Sequence, residues 1–130
     1  MKIGLVSPYD YSYPGGVTVH INNLCRELTK LGHVVKIIAP CSDNGPEPLP
    51  DSLIPVGKPV PVPTGGSIAR ISVSFWLMKR VQAILEEEAF DILHVHEPLV
   101  PFLPLACLHL ASCPIIGTFH AYENNSQKYF

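Results

Sequence analysis

Ile3-Gly4-Leu5-Val6-Ser7, then Pro14-Gly15-Gly16, then an amphipathic run from Val17: this opening stretch decides the fold. The first run is apolar and short, the pattern of a buried strand in a parallel sheet. Two glycines follow it, and apolar positions then recur at Val17, Ile21, Leu24, Leu28 and Leu31. Steps of three and four place them on one helical face. Glycine adopts backbone angles that other residues avoid, and it has no side chain to hold a ligand away. The first helical turn offers unpaired N–H groups and a partial positive charge. Strand, glycine turn and helix start together predict an anion site for a phosphate or a phosphorylated sugar.

Outward from this unit, strand and helix alternate. Gly32 follows Leu31, where a glycine stop is expected. Val34–Ala39 is a second strand ended by Pro40. A proline-rich loop follows, with short extended pieces near Leu53–Val56 and Pro59–Val62, and Gly65-Gly66 marks a sharp turn. A helix is expected over Ser74–Glu88, with Phe75, Met78, Val81 and Leu85 facing one way. Asp91–His96 reads as a strand, Phe102–Ser112 as a helix and Ile115–His120 as a further strand. Strands separated by helices imply an α/β, Rossmann-like parallel sheet with helices on both faces. Ligands bind beyond the carboxyl ends of such strands. That rim is Ser7–Gly16, Glu97–Leu99 and His120–Asn124.

Composition narrows the function. With 130 residues, 47% of them hydrophobic and 15% charged, the chain is one domain with a sizeable core. A formal net charge of −2 argues against a nucleic-acid partner, which calls for a basic face. Cys25, Cys41, Cys107 and Cys113 lack C-x-x-C spacing and suit reduced thiols in a cytoplasmic protein. The apolar region Leu99–Ile116 is interrupted by Pro101, Pro104, His109 and Pro114, unlike a membrane span.

Further motifs complete the rim. There is no G-x-G-x-x-G, which disfavours a dinucleotide site. His120 ends a strand, where sites form. His94 and His96 alternate around Val95 and share one strand face. With Glu97 they suggest a metal, but satisfied buried histidines explain them better, and no residue is assigned to a metal. Glu97-Pro98 reads as pocket wall. Ser67 and Arg70 follow Gly66, either as a helix start with a surface arginine or as a hydroxyl and a guanidinium for an acceptor phosphate. Trp76, Lys79 and Arg80 share a second face of the Phe75–Glu88 helix.

Met1–Tyr9 with Pro14-Gly15-Gly16-Val17 resembles the start of a family 4 (group 1) glycosyltransferase of the GT-B fold. Leu31-Gly32-His33 with Val35, Ala39-Pro40, Gly66-Ser67-Ile68-Ala69-Arg70, Asp91–Pro98 and Thr118-Phe119-His120 match further landmarks in order. Within that family the chain is most similar to bacterial phosphatidylinositol mannosyltransferases. The resemblance implies the N-terminal, acceptor-side domain (residues 1–130) of a retaining hexosyltransferase. A second, donor-binding domain would be absent, leaving this piece alone inactive. It implies a GDP- or UDP-hexose donor, with any divalent metal left open, and a phosphorylated or lipid-linked acceptor. It assigns Gly15 and Gly16 to the donor phosphate, and His120 to the active site as a hydrogen-bonding group. Tyr9, Ser67, Arg70 and Glu97 go to the acceptor side. It also implies peripheral contact with the inner membrane face through Trp76, Lys79 and Arg80. Thr18, Thr64, Gly65, Leu99 and Ala121 depart from the subgroup, which widens the acceptor beyond phosphatidylinositol. From a different class, a non-catalytic module binding phosphorylated sugars or lipids shares the same rim.

Overall fold

The computed structural model describes residues 1–13, 15–42, 49–57, 59–64, 67–72, 77–100 and 103–120, with the backbone alone for 59–64 and 67–72. The elements are β1 (Lys2–Val6), α1 (Gly16–Lys30), β2 (Val34–Ala39), β3 (Leu53–Pro55), β4 (Pro59–Thr64), β5 (Ser67–Ser72), α2 (Leu77–Glu88), β6 (Ile92–His96), α3 (Leu103–Leu110) and β7 (Ile115–Thr118). Five strands form one sheet in the order β3-β2-β1-β6-β7. Every pairing in it is parallel.

Strand parity divides the core. Ile3 and Leu5 of β1, Val35, Ile37 and Ala39 of β2, and Ile92 of β6 pack with Ile21 of α1 on one face. Val6, Ile38, Leu93 and Val95 pack with α2 and α3 on the other. The sheet is therefore doubly wound. Leu5, Ile21 and Ile37 are fully buried, each contributing about 1.5–3 kcal/mol of apolar transfer. Gly4 lets the layers close, since a Cβ there would stand 2.6 Å from Leu93 Cδ2 and 3.2 Å from the Phe90 ring.

The expected glycine stop is present and explicit. Gly32 has φ +96°, its N–H donates to the Thr29 carbonyl, and the His33 N–H reaches back to Leu28. This paired closure is a Schellman motif, and glycine suits its left-handed residue. The core face of α2 is Leu77, Val81 and Ile84, with Leu85 half-buried against it; Val81 and Leu85 face the core as expected, but Met78 is exposed. Leu77-Met78 and Ile84-Leu85 are adjacent apolar pairs, so two helical faces satisfied the pattern; Phe75 lies outside the described residues.

Two boundaries also move. The last helix ends at Leu110, two residues before the expected Ser112, and β7 ends at Thr118, leaving Phe119 and His120 beyond the sheet. Ser67 and Arg70 do not start a helix. They stand on β5, which pairs antiparallel with β4, Thr64 opposite Ser67 and Pro61 opposite Arg70. Pro59, Pro61 and Pro63 alternate, so their missing N–H groups share one edge of β4 while the intervening residues pair.

Candidate active site

The strand order reverses direction between β1 and β6, which makes their carboxyl ends the switch point where a ligand crevice forms. From β1 the rim receives the segment after Val6. It is firmly tied: the Ser7 N–H donates to the Ile38 carbonyl at 3.0 Å and the Tyr11 N–H to the Pro40 carbonyl at 2.9 Å. Asp10, buried, accepts from the Ser12 N–H at 3.0 Å, the Ser42 N–H at 3.1 Å and the Ser42 hydroxyl at 2.8 Å. The Tyr11 hydroxyl donates to Asn22 of α1, and burial pushes that phenol well above its ordinary pKa. Tyr9, half-buried, donates its N–H to Ser7 Oγ at 3.2 Å.

Beyond this anchored part the rim opens. Gly15 and Gly16 are exposed, and a Cβ at either would meet nothing within 4 Å. Gly15 has φ −172° and caps α1 without a side-chain hydrogen bond, and the first turn holds no acidic residue. This backbone is extended and open to any residue. The glycines therefore matter for the space they leave, not for special backbone angles. The helix start is left as an uncapped set of N–H donors with a positive dipole end. Pro14 lies outside the described residues.

The other wall is built by parity. His94 and His96 stand on β6 at the same parity as Ile92, which puts them on the face that α1 covers. Their rings stack, with centroids 4.3 Å apart. His94 Nε2 lies 2.6 Å from Thr118 Oγ1 of β7. His96, fully buried, places Nδ1 2.6 Å from His120 Nε2, and one proton is shared between them. His20 of α1 closes the group edge-on, with centroids 5.0 Å from His120 and 5.6 Å from His96.

Glu97 orients His120. The His120 backbone N–H donates to Glu97 Oε1, and the Glu97 N–H donates to the Thr118 carbonyl at 2.8 Å. Glu97 is 2% exposed and holds φ +53°. A left-handed backbone costs a non-glycine residue about 1–2 kcal/mol and marks sites where the surroundings enforce it.

Burial disfavours the cation on three of these imidazoles, His94, His96 and His120. Burial, and then the neighbouring histidines, lower His96 to about 3. Burial and then His20 and His120 lower His94. His120 is lowered by burial and then His20, with Glu97 opposing. A neutral imidazole has one N–H and one lone pair, so His120 can hydrogen-bond a ligand without carrying charge into the crevice.

The structure thus brings together His120, Glu97 and the Gly15–Gly16 helix start, with Tyr9 at the end of β1. Glu97 also holds the His120 backbone N–H. Ser67 and Arg70 belong to the β4–β5 ribbon, and their side chains lie outside the described residues, as do Gly65, Gly66, Trp76 and Ala121. Lys79 and Arg80 are exposed on α2. His20 escaped the sequence reading. Its signal lay in combining the α1 face with the parity of His94 and His96, which needs knowledge of which helix covers which face.

A doubly wound parallel sheet with an open helix start and a backed histidine at its switch point defines a Rossmann-like domain. The chain belongs to Glycosyltransferase Family 4, whose family model matches residues 14–130. It is 40% identical over 126 residues to a phosphatidyl-myo-inositol mannosyltransferase of Mycolicibacterium smegmatis, covering 97% of this chain and 32% of that protein. Proteins of the same name are 37% identical in Mycobacterium tuberculosis (97% of this chain, 33% of the relative) and in Propionibacterium freudenreichii (92% and 33%). The chain therefore spans about a third of the length of these curated relatives. A sucrose-phosphate synthase from Thermosynechococcus elongatus shares the fold, with a TM-score of 0.63 at 14% identity over 97% of this chain and 36% of that one.

Proposed function

We propose that this chain is the acceptor-side half of a retaining glycosyltransferase. The whole enzyme moves a hexose such as mannose from a GDP- or UDP-linked donor to a phosphorylated or lipid-linked acceptor, phosphatidylinositol being one. The observation that carries this is His120, backed by His96 and oriented by Glu97, on the same rim as an uncapped helix start. The relatives' length supports a second domain that holds the nucleotide.

In this reading the donor phosphates meet the first-turn N–H groups of α1, where the helix dipole favours negative charge. His120 hydrogen-bonds the transferred sugar and steadies the charge that develops as the glycosidic bond breaks. The departing phosphate takes the acceptor proton, so no carboxylate nucleophile is required of this half. Tyr9, Ser67 and Arg70 receive the acceptor, and Arg70 offers a two-pronged match to its phosphate. Lys79 and Arg80 of α2, with Trp76, bring the enzyme to an anionic membrane face.

The test is a donor screen with the full-length enzyme containing this chain, followed through product anomers. Transfer from GDP- or UDP-hexose with retained configuration is expected. Arg70→Ala should weaken a phosphorylated acceptor while sparing a neutral one. Inverted product, or no transfer from any nucleotide hexose, overturns the proposal.

A further inference from the structure

Three imidazoles converge from three separate elements. His20 comes from α1, His96 from the end of β6, and His120 from just beyond β7. One ring nitrogen of each lies within 4.8 Å of the others. We propose that these three histidines form a binding site for a borderline transition-metal ion of the Zn²⁺ class.

The donor chemistry is specific. Neutral imidazole nitrogens suit Zn²⁺, Cu²⁺ and Ni²⁺, whereas Mg²⁺ and Ca²⁺ require oxygen ligands. Three histidines with one open position form a known type of zinc coordination.

His96 uses its two nitrogens differently. Among the described residues, His96 Nε2 is a fully buried side-chain nitrogen without a hydrogen-bond partner. Its other nitrogen, Nδ1, is occupied with His120. The ion would sit on the Nδ1 side, where His120 already stands; Nε2 lies on the opposite edge of the ring and is not part of the site.

The geometry reaches coordination through small movements. Zn–N bonds of about 2.0–2.1 Å put tetrahedral ligand nitrogens ~3.3 Å apart. The 2.6 Å approach of His96 and His120 must open slightly, and His20 must close inward. His20 and His120 are both exposed, so their rings can turn, while His96 is fixed in the core. The partner set differs from the His94, His96 and Glu97 group adjacent in sequence. His94 is engaged with Thr118, and Glu97 with the His120 backbone. An ion held here engages the ring that the proposed function assigns to the sugar, so occupancy and transfer would exclude each other. That consequence rests on the proposed function; binding itself does not.

Binding is read directly, without activity. Zn²⁺ is titrated into the protein against a colorimetric chelator, and Co²⁺ is used as a spectroscopic probe. One ion per chain is expected, undisplaced by excess Mg²⁺. His20→Ala and His120→Ala, both at exposed positions and checked for folding by circular dichroism, should each weaken binding about 10-fold or more. His33→Ala, on the loop before β2, should bind as the parent does. Absence of Zn²⁺ binding, affinity unchanged in both His20→Ala and His120→Ala, or a thiolate charge-transfer band in the Co²⁺ form, which would place the ion on cysteine, each overturns the proposal.

Discussion

Lowering the pH from 7.5 to 5 should remove about 2 kcal/mol of folding stability through His96 alone. The side chain is fully buried, and burial lowers it from 6.5 to about 3. The folded state therefore disfavours the cation. Above pH 6.5 both states are neutral and the stability is fully present. Between pH 6.5 and about 3 the unfolded chain takes a proton that the folded chain refuses, so stability falls as pH falls. The loss is RT ln(1 + 10^(6.5 − pH)), about 2 kcal/mol at pH 5, approaching ~1.4 kcal/mol per pH unit. At pH 5 the result hardly depends on the folded value, provided it lies well below 5. His94 and His120 are lowered too and add in the same direction. Urea unfolding in chelator-containing buffer measures this directly. With m near 1–3 kcal/mol/M, the midpoint should drop by roughly 0.7–2 M. His96→Phe keeps an aromatic ring in the core but cannot titrate, and it should lose about 2 kcal/mol of the pH dependence. A midpoint unchanged between pH 7.5 and 5, or an equal slope in His96→Phe, would refute the burial argument.

Gly16→Val should leave folding within about 0.5 kcal/mol of the parent, because its Cβ meets open space, yet abolish binding of a phosphate-bearing donor to the full-length enzyme. Thermal unfolding and donor titration separate the two effects, and retained donor binding would remove the helix start from the site. Gly4→Ala should cost about 1–3 kcal/mol in urea unfolding, since its methyl group meets Leu93 and Phe90 in a filled core. A cost below ~0.5 kcal/mol would mean that both side chains move aside freely. In the full-length enzyme, His120→Ala should lower kcat more than it changes donor KM. Glu97→Ala should lower kcat as well, whereas Glu97→Gln, which keeps an acceptor for the His120 N–H, should recover most of it; equal losses would show that charge, not positioning, is what Glu97 provides.

Most of the fold was legible from local pattern. The short apolar runs and the three-four spacing of Val17, Ile21, Leu24 and Leu28 are properties of neighbouring residues. So are the Gly32 stop and the shared face of His94 and His96. Each depends on backbone periodicity of 2 or 3.6, which a linear sequence displays. Local pattern failed where two solutions fitted equally, as with the α2 face. It failed again at β5: Pro59–Val62 read as extended and became β4, but a proline-rich run gives little sign that the residues just after it pair back on it as an antiparallel strand.

The site divides along the same line. Gly15, Gly16 and His120 stood out because glycine turns and strand ends carry meaning in sequence alone. Tertiary structure decided that Glu97 turns left-handed to hold the His120 backbone. It also decided that His96 is buried against His120, and that His20 of α1 completes the group. These depend on which helix covers which sheet face, and on contacts across 24 and 76 residues of chain, from His96 to His120 and from His20 to His96. No sequence window contains such contacts; only the packed sheet brings them into one place.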